Sequence, residues 1–220
     1  RFSGTALYIL AHYQSPEKIA NMNAKSYEAL RKKSRGKFSM VKFAQLKTLA
    51  KNTVGRSDDF LLKQMEITID IENQLDAKID EITAQISECI RGLNPPILTI
   101  PGIGELTAAV ILSEYGDINR FENPAQMLSF AGLEPGYYQS GQAEHGGHMV
   151  KHGSSHLRYA LMNATLPLIT FEPVFAEYYA KKRAEGKPHR VALTHVAKKL
   201  LRVVYTLQTK NISYDPALIR

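Results

Sequence analysis

The 220-residue sequence has no tryptophan, one cysteine and no apolar run long enough to span a membrane. The last of these excludes a membrane partner of the helical kind. With one cysteine there is no internal disulfide, which fits a reducing, cytoplasmic setting. Cys89 falls at the end of a heptad-like run, where a packing role is expected before a reactive one. No signal peptide is visible. The chain begins at Arg1 in an apolar segment, ALYILAHY, that reads as entered midway, so a fragment of a longer protein is expected.

Acid is scarce at both ends. Residues 1–56 hold twelve Lys and Arg against only Glu17 and Glu28, residues 57–150 hold four against fifteen acids, and residues 151–220 hold twelve against four. The net charge of +7 therefore conceals two basic ends around an acidic middle. Such asymmetry favours a polyanion partner over a generally basic surface.

Along the chain the pattern is mainly α. Residues 1–56 form a basic segment read as short helices: Ala6–Tyr13, Pro16–Met22 entered through Ser15, Ser26–Lys33 and Met40–Asn52. Five basic residues in RKKSRGKFS, residues 31–39, suit either a phosphate-contacting turn or a solvated loop. In residues 57–93 the stripe Leu61, Met65, Thr68, Glu72, Leu75, Ile79, Ile82, Ile86, Cys89 alternates spacings of four and three. That predicts a coiled-coil dimerisation helix about 50 Å long. A domain of this size cannot cover it, so a partner helix is expected, within a hairpin or from a second subunit. Ser57 is the expected N-cap, with Gly92 and Pro95-Pro96 the terminators.

Residues 94–210 form the third region, a compact helical domain, and 211–220 a tail. Helices are expected at Glu105–Tyr115, Pro124–Phe130, Ser155–Thr165, Pro173–Ala184 and Arg190–Leu207. The nearest thing to a strand pattern is a short hairpin around Tyr137–Met149.

Two motifs carry chemistry. ILTIPGIGELTAAVILSEYG, residues 97–116, matches a helix-hairpin-helix phosphate clamp. Gly102 and Gly104 let the chain turn so that backbone N–H groups, with Ile103 between them, meet a phosphate at a helix N-terminus. Ile100 and Ile103 would pin the turn between helices, and a plain Gly turn between packed helices is the alternative. Residues 132–158, a Ser/His/Gly-rich loop, crowd six Gly and four His ahead of a helix. Ser140, followed by Gly141, is the hydroxyl most easily exposed as a nucleophile. Ser154 and Ser155 stand where a helix N-cap belongs. Lys151 and Arg158 suit phosphate oxygens. His145, His148, His152 and His156 have no Cys or carboxylate cluster beside them to complete a metal site. In HRVALTHVAKKLLRVVYTL, Val191, Val196, Leu200, Val203, Val204 and Leu207 form a core face, and Lys198, Lys199 and Arg202 a basic face that can reach DNA backbone. His195 beside the apolar face reads as a packed histidine.

PGIGELTAA, FENPAQMLSFAGLEP, QSG and KHGSSHLRYALMNA together resemble the carboxy-terminal domain of the IS-one-ten (IS-one-sixteen) family of bacterial insertion-sequence transposases. The match is close over roughly 95–205. The acidic helix before it resembles the family's dimerising segment, and residues 1–56 the tail of its amino-terminal resolvase-like domain. The resemblance implies a recombinase whose serine, here Ser140, attacks DNA to form a phosphoserine. Gly141 matches the turn after it, and Lys151, Gly153, Leu157 and Arg158 the motif that follows. It further implies a guide RNA that pairs with target and donor DNA, and a homodimer or tetramer in the bacterial cytoplasm. Four acidic residues binding magnesium are implied in the amino-terminal domain. Residues 1–56 have no counterpart of that tetrad, so this chain alone is expected to be inactive and to hold no cofactor. Two rivals remain open: a non-catalytic helix-hairpin-helix module that scaffolds nucleic acid, and a junction-binding repair factor.

Overall fold

The computed structural model describes residues 2–55, 58–140, 143–149 and 152–219 and is mainly α, with one β-hairpin. Two compact units divide the chain, Arg1–Glu81 and Ile82–Arg220.

In the first unit, Gly4–Tyr13 (α1), Pro16–Ala20 (α2), Ala24–Lys33 (α3) and Met40–Lys51 (α4) are short helices entered through Ser3, Ser15, Asn23 and Ser39. Each cap side chain accepts a first-turn N–H, which satisfies a donor the helix itself cannot. Ile9, Met22, Leu30 and Phe43 form a small core. The basic turn after α3 is a C-terminal cap: Gly36, at φ +81°, donates to Arg31 O, and Ser34 Oγ accepts from Phe38 N.

Asp59–Leu93 (α5) is one continuous helix. Its ends differ from the sequence expectation. The Asp58 carboxylate accepts the Leu61 N–H at 2.8 Å, the cap bond expected of Ser57, which lies outside the described residues. At the other end Gly92 stays helical, and Asn94, at φ +42°, makes the turn. Leu61, Leu75, Ile79 and Ile82 of the heptad stripe are 48–59% exposed. Cys89 at its end is exposed rather than packed.

The second unit is built around His189–Lys210 (α10), which buries Val196, Ala197, Leu200, Leu201, Val203, Val204 and Leu207. Each such leucine contributes about 1.5–3 kcal/mol by leaving water. Val191, expected on this face, is 41% exposed, while the next two residues, Ala192 and Leu193, are buried. Against α10 pack Pro124–Phe130 (α7), Ser155–Phe171 (α8) and Pro173–Ala184 (α9), and Glu105–Tyr115 (α6) packs on α8. Helix α8 runs through Pro167 to Phe171, beyond the end expected at Thr165. Its buried residues Leu157, Ala160, Leu161, Ala164, Thr165 and Leu168 keep one face in the core through the proline. Packing thus outweighs the lost backbone bond. The hairpin consists of Pro135–Ser140 (β1) and Ala143–Met149 (β2), antiparallel, with Tyr137 opposite Gly146 and Ser140 opposite Ala143.

Candidate active site

The hairpin springs from the end of α7 and returns to the start of α8. Gly132, at φ +63°, closes α7 by donating to Ser129 O at 2.8 Å, while Leu133 N donates to Leu128 O. Leu133 is wholly buried, which anchors the outgoing strand.

The return is fixed more tightly. A side-chain carbon on Gly153 would overlap the Phe130 carbonyl oxygen and the Gly132 amide nitrogen, so only glycine lets the two backbones meet here. Ser154 N then donates to Phe130 O at 2.8 Å. Ser154 Oγ accepts the Leu157 N–H at 3.0 Å, capping α8 as the sequence suggested, and donates to Glu114 Oε2 of α6 at 2.6 Å. Leu157 is fully buried. Arg158 Nη1 donates to Ala131 O at 3.1 Å. One guanidinium N–H is spent on this bond, leaving the rest of the fork for an anion.

Ser140 is the last residue of β1, next to the hairpin tip. At about 3.3 Å per residue it lies roughly 16 Å along the strand from Pro135. The candidate nucleophile and the candidate arginine thus belong to the tip and the root of one hairpin. Gly141 and Lys151 lie outside the described residues.

Of the basic face of α10, Lys198 and Lys199 are half-buried and Arg202 is exposed. Burial first, and then Arg202, holds the Lys198 ammonium below its ordinary pKa, partly offset by Glu134 at the root of β1. Lys199 is lowered by burial, with its Nζ 4.9 Å from the centre of the Tyr178 ring and 5.6 Å from that of Phe175. Lys199 and Arg202 also line a cavity of about 230 Å³ with Ile212 and Asp215.

The Gly turn before α6 has two unlike glycines. Gly102, at φ +89°, packs against α8: an added side-chain carbon would stand 3.0 Å from Pro167 C and 3.2 Å from Leu168 N. Gly104 faces open space and is the N-cap of α6 with no side-chain cap bond. Ile100 and Ile103 are buried, as expected of residues pinning the turn, so only the backbone of Ile103 is available to a ligand. Glu105, in the first turn of α6, pairs with Arg91 at 2.7 Å.

Sequence reasoning missed Glu114 and Arg120. Glu114 meets its partner forty residues away, so no local spacing announces it. Arg120 stacks over Phe121 and Phe130, 4.8 and 4.5 Å from their ring centres, bracing the end of α7. Among the described residues no group of three His, Cys, Asp or Glu side chains gathers to hold a metal.

These features define a mainly α domain with one β-hairpin, whose root is tied to the end of α7 through Gly153, Ser154 and Arg158. Residues 94–180 match the model described as Transposase IS116/IS110/IS902 family. The insertion element IS110 uncharacterized 43.6 kDa protein of Streptomyces coelicolor is 32% identical over 136 residues, 61% of this chain and 34% of the relative. The pilin gene-inverting protein of Moraxella bovis is 29% identical over 143 residues, 63% of this chain and 44% of the relative. The insertion element IS900 uncharacterized 42 kDa protein of Mycobacterium paratuberculosis is 25% identical over 220 residues, covering 98% of this chain and 55% of the relative. The chain spans between about a third and just over half of the length of these relatives.

Proposed function

We propose that this chain is part of a bacterial DNA transposase that cuts and rejoins strands through Ser140. Ser140 Oγ attacks a backbone phosphorus and gives up its proton, a phosphorus–oxygen ester bond to the neighbouring sugar breaks, and that sugar leaves as a free hydroxyl. The phosphoserine keeps the ester, so a hydroxyl from another strand can attack it, rejoin DNA and restore the serine. Arg158 and Lys151, carried over from the family motif, balance the negative charge that develops on the phosphoryl oxygens. Because Ser140 stands at the hairpin tip and Arg158 at its root, this requires the assembled complex on DNA to bring the serine and the arginine together. The backbone around Gly102, Ile103 and Gly104, with Gly141, Lys198, Lys199 and Arg202, holds the DNA backbone.

The observation that carries this reading is the bolted root of the hairpin. Gly153, Ser154 and Arg158 are each tied to Phe130–Gly132, which gives Gly153 and Arg158 a structural reason beside their match to the family motif. Such rigidity is what a group that must meet a transition state needs. The exposed heptad stripe of α5 supports assembly with a second copy into a dimer or tetramer. Guidance by a structured RNA, magnesium held by an acidic domain, and a place in the bacterial cytoplasm rest on the resemblance to the family. No helix among the described residues is long and apolar enough to cross a membrane.

The test is Ser140→Ala in the full-length protein, with denaturing electrophoresis of protein incubated with element-end DNA. Covalent adducts should vanish while binding survives. Adducts that persist would overturn the assignment, and wild-type protein that binds but never forms an adduct would leave the scaffolding reading.

A further inference from the structure

The corner joining α9 to α10 carries charge that the candidate active site does not use. Lys181, Lys182, Arg183, Lys187 and Arg190 fall within ten residues, against the single acid Glu185. Lys182 Nζ reaches both Glu185 oxygens at 2.9 Å, so the one carboxylate is engaged by the most covered of these lysines. Lys181, Arg183, Lys187 and Arg190 are exposed.

The corner is built to hold these charges in place. Gly186, at φ +78°, makes the turn, and Arg183 Nη1 donates to the Lys187 carbonyl at 2.6 Å. Nearly two turns into α10, His195 is held below its ordinary pKa by burial first, and then by Lys182, Lys198 and Lys187. Cations from α9, the turn and α10 therefore converge on one surface with too little acid to balance them. Helix α10 also starts at Pro188 with no side-chain cap bond and no acid in its first turn, which adds to the positive field. Like charges gathered this way repel one another in the free protein, and a polyanion relieves the repulsion.

The aromatic residues decide which polyanion fits. Single-stranded nucleic acid is held by exposed rings on which bases stack. Here Tyr178 lies half-buried beneath Lys182 and Lys199, and the Tyr179 hydroxyl is 2.7 Å from His189 Nδ1. Neither ring offers a free platform, whereas the fixed cations suit a regular phosphate ladder.

We propose that the α9–α10 corner grips the phosphate backbone of duplex DNA, without regard to sequence, as a hold separate from the hairpin. The proposal rests on the reading of the protein as a DNA transposase.

The test uses the full-length protein and a short non-cognate duplex, with affinity measured across a salt series. In the triple variant Lys181→Ala, Lys187→Ala, Arg190→Ala, the slope of log affinity against log salt should fall by about 1 for each residue removed. Replacing Lys181 and Lys187 by Arg should keep the slope, which separates charge from folding. An unchanged slope in the triple variant overturns the proposal, as does a loss confined to RNA of equal length. Adduct formation by the Ser140 protein is scored in parallel. Adducts with an unchanged slope sink the corner alone, and a reduced slope with no adducts sinks the recombinase reading alone.

Discussion

Ser154 and Glu114, forty residues apart in sequence, share a 2.6 Å hydrogen bond in which the serine hydroxyl donates to Glu114 Oε2. The same hydroxyl accepts the Leu157 N–H at the start of α8. One side chain therefore caps the helix that carries Arg158 and ties it to α6, whose N-terminus follows the Gly turn.

Ser154→Ala should lower stability by about 1–2 kcal/mol, since it removes a cap and leaves a part-buried carboxylate short of a donor. Glu114→Gln, which keeps the shape and an acceptor oxygen, should cost less. A double-mutant cycle by denaturant unfolding should show coupling of about 0.5–3 kcal/mol. Additive effects would mean that the contact contributes nothing in solution.

The glycines separate packing from function. Gly153→Ala should destabilise by about 3 kcal/mol, the upper end for overpacking, because the obstacle is backbone and cannot swing aside. Gly104→Ala meets nothing within 4 Å and should cost no more than about 1 kcal/mol. Thermal unfolding checks both. Equal losses at the two positions would contradict the packing at the hairpin root.

The heptad stripe makes a different kind of prediction. Ile79→Lys replaces a side chain that is 57% exposed within the chain, so the monomer's unfolding free energy should move by no more than about 0.5 kcal/mol. If α5 pairs with a second copy as proposed, sedimentation velocity should show a self-associating wild-type protein and a variant that no longer assembles. An unchanged assembly would place the subunit contact elsewhere.

His195 supplies a pH dependence. Burial first, and then Lys182, Lys198 and Lys187, depress its pKa in the folded state, with Glu185 acting weakly the other way. At a pH near the ordinary histidine value the unfolded chain therefore binds more protons than the folded one, so stability rises with pH through that range. Wild-type protein should lose stability relative to His195→Gln as pH falls from about 7 to about 5, with the difference flattening below the folded pKa. Parallel unfolding curves across that range would refute the burial assigned to His195.

Local signals made most helix positions legible. Ser15 ahead of Pro16, Asn123 ahead of Pro124 and Glu172 ahead of Pro173 mark their helix starts with residues whose side chains accept the first N–H groups. Where a start or stop depended on competition between neighbours, the outcome moved. Asp58 makes the cap bond expected of Ser57, Asn94 ends α5 in place of Gly92, and α8 passes Pro167 because its buried face is worth more than one backbone bond.

The sequence by itself determined the helical pattern, the charge asymmetry, the apolar stripe of α5 and the family motifs, because each depends on spacing along the chain. Only the tertiary structure decided that Gly102 and Gly153 are packing positions against distant backbone, that Glu114 braces Ser154, and that Ser140 and Arg158 belong to the tip and root of one hairpin. Those relationships join residues tens of positions apart, and they exist only once the core around α10 has brought α6, α7 and α8 together.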